Sequence, residues 1–197
     1  MPRAGLDAAV VTAAAADLAD ELGLPALSMS VVAERLGVKA PSLYKHVAGL
    51  DDLVDRVGAL AATEIATAVG RATQGRSGSD ALTHAADAFR SYVRQHAGRY
   101  AATVGPRDTA ADAPTATALR DALDPFSAVL RGYHLPEADH VHALRALRSI
   151  LHGFTTLETG GGFQLGTDVD QSFTWLVALL DTGLRSTGST PRDESAR

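Results

Sequence analysis

Residues 28–47, SMSVVAERLGVKAPSLYKHV, decide how this chain is read. They predict two short helices around a Gly37-Val38 turn. Ser28 or Ser30 offers a side-chain oxygen to the open N–H groups at the first helix start, and Gly37 ends that helix. Ala33 is small enough for the two helices to cross closely. Leu36, Val38, Leu43 and Val47 are the apolar residues that lock them together. Pro41 falls in the first turn of the second helix, where a missing N–H costs nothing. No residue from Arg35 to Val47 is acidic, and the only two lysines of the chain, Lys39 and Lys45, both lie here. A helix-turn-helix whose second helix carries the local positive charge has the shape that docks in the DNA major groove. DNA binding is the leading reading of the segment.

Composition sets limits around it. At 197 residues the chain can bury a substantial core in one large domain or two small ones. Hydrophobic residues at 46% and charged residues at 21% mark it as globular. Abundant alanine, few aromatics and no alternating Val-rich runs point to helices rather than strands. The absence of cysteine excludes disulfides and thiolate metal sites. No apolar run follows a basic start, so a secretory signal is not expected. The longest apolar stretch, 173–184, falls well short of the ~20 residues a bilayer requires. No membrane association and a cytoplasmic location are therefore expected. The formal net charge of −5 fits poorly with a non-specific DNA coat, which needs a broad basic face. It is compatible with an acidic body bearing a small basic reading head, because contact depends on the local patch.

Along the chain, Val10, Ala14, Leu18 and Leu22 predict a first helix over 6–22 with Gly23 as its stop. Another helix begins near Leu50, with Asp51 and Asp52 at its positive end. The Gly/Ser-rich stretch 74–79 is the one candidate linker between domains. An amphipathic helix is predicted over 80–96, and 105–114 reads as a loop. Helical pattern resumes at Thr115, is interrupted by Pro125 with Asp124 as a possible cap, and breaks again over 132–136. Two last helices are predicted over 137–158 and 168–185. On the final one Phe173, Leu176, Val177, Leu180 and Leu184 form a stripe while Trp175 and Leu179 face elsewhere. Apolar residues on more than one face imply burial from two sides, which a second copy of the chain would supply. Residues 188–197 are expected to be disordered.

Catalysis finds little support. There is no phosphate-cradling glycine loop before a helix, no HExxH and no serine elbow. The run Gly160-Gly161-Gly162 follows an apolar helix and reads as its stop. His134, His140 and His142 cluster beside Asp139, but residues two apart on a helix point in different directions, so no metal site is assigned. Neither enzyme activity nor a cofactor is expected.

Two stretches, 27–47 (LSMSVVAERLGVKAPSLYKHV) and 147–163 (LRSILHGFTTLETGGGF), resemble the tetracycline-repressor (TetR) family of bacterial transcription regulators. Ala33, Gly37, Val38, Leu43, Tyr44 and His46 stand at the family's spacing, and the second stretch is similar to the C-terminal domain of one family branch. The resemblance implies an all-α homodimer, with a DNA-binding domain over 1–49 and a helical ligand-binding and dimerisation domain over 50–187. It also implies a double-stranded DNA operator as partner and a small molecule that releases it. The alternative is a helical small-molecule-binding or interaction module without DNA-reading activity.

Carried over by position, Lys39, Ala40, Pro41, Ser42 and Tyr44 form the surface against base edges and adjacent backbone, with Lys45 and His46 near phosphates. Two positions depart from the pattern. Lys39 replaces a small hydroxyl residue that caps the recognition helix, and Leu50 stands where a lysine commonly touches phosphate. For the effector, Phe89, Tyr92, Val93 and Phe126 supply an apolar pocket, with Tyr92 and His152 as its polar groups. No charge is evident on the apolar stripes, so a neutral or weakly polar effector is expected. Leu147, Phe154, Trp175 and Leu179 are the candidate dimer contacts.

Overall fold

The computed structural model describes residues 5–104 and 114–189, and within them every regular element is helical. Helix α1 (Ala8–Leu22) starts on Asp7, whose carboxylate accepts from the Val10 N–H at 2.8 Å, and stops at Gly23 with φ 83°. Its buried face is Val11, Ala15, Ala16, Leu18 and Ala19, while Leu22 is exposed and Val10 and Ala14 are half-buried. A run spaced by four drifts about 40° per step around a 3.6-residue helix, so the predicted stripe leaves the buried face at both ends.

Helix α2 (Met29–Leu36) is capped by Ser28, whose hydroxyl accepts from the Val31 N–H at 3.3 Å; Ser30 lies inside the helix. Gly37 closes it in the left-handed conformation (φ 66°, ψ 31°), which a side chain would strain. The Val38 N–H then returns to the Ala33 carbonyl at 3.0 Å. A 3₁₀ segment, Ala40–Lys45, leads to α3 (Leu50–Thr73). Val11, Ala15, Val32, Ala33, Leu43, Val47, Leu53 and Val57 share one core that fixes these elements together.

The chain forms two compact units, one of Met1–Ile65 with Gln95–Ala122, the other of Ala66–Arg94 with Leu123–Arg197. The division falls inside α3. The stretch 74–79 is therefore no domain boundary: it turns the chain from α3 into α4 (Gly78–Gln95). That turn is packed rather than loose, since a Cβ on Gly132 would stand 2.8 Å from the Gly78 nitrogen.

In the first unit α5 (Ala97–Ala101) lies directly on α1, so close that a side chain at Gly98 would overlap the Ala19 carbonyl. Helix α6 (Pro114–Asp121) is assigned to the same unit. The second unit holds α7 (Asp124–Arg131), α8 (Glu137–Thr159) and α9 (Val169–Gly188) with α4. Leu123, not Asp124, takes the cap position of α7, and it makes no side-chain cap bond. Asp168 caps α9, accepting from the Asp170 N–H at 2.7 Å and the Gln171 N–H at 3.3 Å. Tyr133 donates to Asp181 of α9 at 2.5 Å; burial and that carboxylate push its ionisation well above the ordinary phenol range.

The predicted loop over 105–114 lies outside the described residues except for Pro114, which opens α6. Of the tail, Gly188 is the last residue of α9, and 190–197 lie outside the described residues. Among the described residues no helix is long and apolar enough to cross a membrane.

Candidate nucleic-acid interface

The second helix of the helix-turn-helix is a six-residue 3₁₀ segment rather than an α-helix. Its bonds span three residues: the Ser42 N–H donates to the Lys39 carbonyl and the His46 N–H to the Leu43 carbonyl, both at 2.8 Å. Pro41 near its start supplies no N–H, and the tight winding satisfies the few donors such a short run has. Three residues per turn sort the side chains into rows. Ala40, Leu43 and His46 share the inner row, where Leu43 is fully buried and the other two are half-buried. Pro41 and Tyr44 share an outer row, and Tyr44 is 56% exposed. Lys39, Ser42 and Lys45 form another row, with both lysines exposed. The predicted surface therefore divides. Lys39, Pro41, Tyr44 and Lys45 project outward, Ser42 is half-buried beside them, and Ala40 and His46 are turned partly into the packing.

Lys39 occupies the cap position with extended backbone (φ −82°, ψ 141°) and makes no side-chain cap bond. Among the described residues neither lysine has an ion-pair or hydrogen-bond partner for its side chain. Arg35, the nearest other cation, differs: its guanidinium donates to both oxygens of Glu21 on α1, and this bond holds the Glu21 carboxyl below its ordinary range. Asp52 is also engaged, accepting from the Ala48 N–H at 2.8 Å and from Arg56 at 2.9 Å. Leu50 packs half-buried against the core of the unit. The uncompensated positive charge of the segment thus resides on Lys39 and Lys45.

The head is braced by a residue that sequence reasoning missed. Arg99 of α5 is buried and donates through Nε to Asp20 at 2.7 Å, through Nη2 to Asp17 at 2.8 Å, and through Nη1 to Glu64 of α3 at 3.1 Å. Its backbone N–H also donates to Asp20 at 2.8 Å, and the His96 ring lies 2.9 Å from the same carboxylate. One guanidinium fork thereby ties α1, α3 and α5 of this unit together. A signal existed in the sequence. Asp17, Asp20 and Glu21 crowd the negative end of α1 with no basic residue in its last turn, an arrangement that calls for outside cations.

In the second unit, Phe89, Tyr92, Val93 and Phe126 are all buried, and the Phe89 and Phe126 rings meet edge to face at 6.1 Å. His152 is half-buried on α8, its Nδ1 3.4 Å from the Thr156 hydroxyl. The expectation of no charge among the apolar stripes is corrected by Arg90. This residue is buried and its guanidinium lies 4.6 Å from the Phe173 ring centre and 5.6 Å from that of Phe154. It is neutralised by Glu158 at 2.6 and 2.8 Å and by Asp170 at 2.7 Å, which joins α4, α8 and α9.

The candidate dimer residues separate. Leu147 (1% exposed) and Phe154 (9%) are consumed by the chain's own core, the Phe154 ring meeting that of Phe173 at a tilt with centres 5.0 Å apart, so they have little surface left for a partner. Trp175 (66%) and Leu179 (54%) stay open. Leu179 lines a groove of about 680 Å³ between α8 and α9, with Ala143, Ala146 and Ile150 on one side and Leu176, Leu180 and Gly183 on the other. A second hollow, about 550 Å³, lies beside Trp175. Among the described residues no group of three or more His, Asp or Glu could hold a metal ion.

Comparison with known proteins bears on this geometry. Residues 11–57 match the family described as bacterial regulatory proteins, tetR family, and residues 82–180 match the tetracyclin repressor-like C-terminal domain. The chain is 36% identical over 165 residues to the uncharacterized HTH-type transcriptional regulator Rv0681 of Mycobacterium tuberculosis, covering 84% of this chain and 75% of that protein. TetR-Q116A from Acinetobacter baumannii AYE, solved in complex with minocycline, superposes with a TM-score of 0.72 at 25% identity over 94% of this chain and 100% of that one. BioQ, solved with its natural double-stranded DNA operator, shares the fold with a TM-score of 0.70 at 22% identity over 92% and 99% of the two chains.

Proposed function

Because the chain belongs to the tetR family of bacterial regulatory proteins, a family of DNA-binding transcriptional regulators without enzymatic activity, we propose that it is a repressor released from its operator by a small molecule. The observation that carries this reading is the unpaired, outward-facing set Lys39, Tyr44 and Lys45 on a firmly packed segment of an otherwise acidic chain. Tyr44 is assigned to base edges and Lys45 to phosphate, with Lys39 and Ser42 at the adjacent backbone. The half-buried Ala40 and His46 shape the surface from beneath. Residues 1–49 serve as the DNA-binding domain and 50–187 as the ligand-binding and dimerisation domain, and the protein works in the cytoplasm, where its DNA is.

A homodimer joined through the Trp175 and Leu179 face presents two heads to two half-sites, so the operator is expected to be a near-palindrome with centres about one DNA turn, or a multiple of it, apart. The minocycline-bound neighbour supports a small-molecule effector, and the buried set around Phe89 and Phe126 supports an apolar one. Arg90 does not alter this, since its charge is already met by two carboxylates. Release requires the effector to bind the DNA-free state more tightly, because equal affinity for both states shifts nothing. The alternative, a module that does not read DNA, draws on Leu50, which removes one phosphate contact.

Two substitutions decide between them. Tyr44→Ala should weaken operator binding by about 1–3 kcal/mol and leave non-specific binding nearly unchanged, because a base contact is lost. Lys45→Ala should weaken both and lower the salt slope by about one unit. If both variants bind the operator like the unmodified chain in fluorescence anisotropy, the reading surface lies elsewhere.

A further inference from the structure

We propose that Lys39 and Lys45 form an acylation site, and that acylation of their amines releases DNA; this rests on the DNA-reading role proposed above. The argument begins with the distribution of basic side chains. The chain has 16 arginines and 7 histidines but only these two lysines. The ion pairs that hold the fold are made by guanidinium and imidazole groups, from Arg35 and Arg56 to Arg90 and Arg99. A guanidinium stays charged at any physiological pH and its nitrogen lone pairs are delocalised, so it resists acyl donors that an amine accepts. Every side-chain amine that can be acylated therefore sits in the reading head.

Both amines are accessible. Each lysine is exposed, and neither has a partner among the described residues. No acidic residue lies between Arg35 and Val47 to hold them in an ion pair. The chain has no cysteine, so no thiol intercepts the acyl group and transfer passes directly from donor to amine. The donor is an acyl phosphate or an acyl thioester. The neutral ε-amine attacks the acyl carbonyl carbon and the new C–N bond forms. The C–O bond of the acyl phosphate, or the C–S bond of the thioester, breaks with its electron pair. Phosphate or thiol leaves, and the amine proton passes to solvent. The product is a neutral amide in place of a cation. Each acylation removes one phosphate-directed charge from a chain whose formal net charge is already −5, and no other lysine is present to replace it.

The test incubates the full chain with acetyl phosphate in one arm and acetyl-coenzyme A in the other. Modified residues are located by mass spectrometry, and operator affinity is measured across a salt series. The expected result is acetylation of Lys39 and Lys45 in at least one arm, which identifies the donor class. Bound operator DNA should protect both sites. Affinity should fall roughly tenfold or more, and the salt slope by about two units per head. The Lys39→Arg/Lys45→Arg double variant, whatever its own affinity, should change by less than about twofold on the same treatment, which separates the effect from modification elsewhere. Absence of acetylation at both lysines in both arms overturns the site. Equal binding by treated and untreated protein overturns the switch while leaving the DNA reading intact. If untreated protein shows no affinity for DNA, the DNA reading fails and the switch fails with it.

Discussion

Leu179→Asp is expected to yield a monomer that no longer holds its operator. Leu179 is half exposed at the edge of the α8–α9 groove, beside Leu176, Leu180 and Gly183, where an apolar face is left open by the chain itself. A two-fold contact places the substitution at two equivalent points. Each carboxylate would be desolvated without a partner at about 3 kcal/mol, and the pair weakens association by roughly 10⁴-fold. Folding should be little affected, because in the separated chain the new carboxylate faces water. Trp175→Asp, at a more exposed position, should act in the same direction. Sedimentation at micromolar concentration reads the outcome. Dimers that persist in both variants would move the interface to another face. Operator binding should fall with dimerisation, since one head engages only one half-site.

Arg99→Ala carries the largest expected cost in stability. The substitution removes the guanidinium that Asp17, Asp20 and Glu64 share, while His96 keeps its contact with Asp20. Breaking a buried, multiply bonded ion pair from one side is worth about 3 kcal/mol, discounted here for the exposure of Asp17 and Glu64. For a chain of this size that corresponds to a melting temperature roughly 6–12 °C lower. Arg99→Lys should recover part of the loss, because a single ammonium cannot reproduce the guanidinium fork. A melting temperature unchanged in Arg99→Ala would show that the cluster contributes nothing net to the head. Calorimetry on both variants distinguishes these results.

The parts of the fold legible in the sequence were those governed by neighbours in the chain. The Ser28 cap, the left-handed Gly37 and the burial of Leu43 and Val47 follow from residues within a few positions of one another. The exposure of Trp175 and Leu179 was legible for the same reason: their angle around α9 separates them from Phe173 and Val177. What depended on distant partners was not legible. Arg99 and Arg90 meet carboxylates 35 to 82 residues away, and only the acids at the negative ends of α1 and α8 hinted at them. Leu147 and Phe154 look like surface candidates on a helix with several apolar faces, but the packing of α9 through Phe173 claims Phe154. In the segment 39–46 the outward projection of Lys39, Tyr44 and Lys45 was legible, and the rows were not. An α-helical reading of residues 40–45 puts Ala40, four residues before Tyr44, on the same surface as Tyr44. The 3₁₀ winding instead puts it on the row of Leu43.

The outward-facing Lys39, Tyr44 and Lys45 are the residues proposed to read DNA. The most direct measurement selects bound fragments from a genomic library that includes the region upstream of the chain's own gene, then titrates the recovered fragment against salt. The expected result is a recurrent near-palindromic sequence, bound with a steep negative dependence of log affinity on log salt. The slope should become shallower by about one unit in Lys45→Ala. Recovery of no preferred sequence, with binding that salt does not weaken, would contradict it.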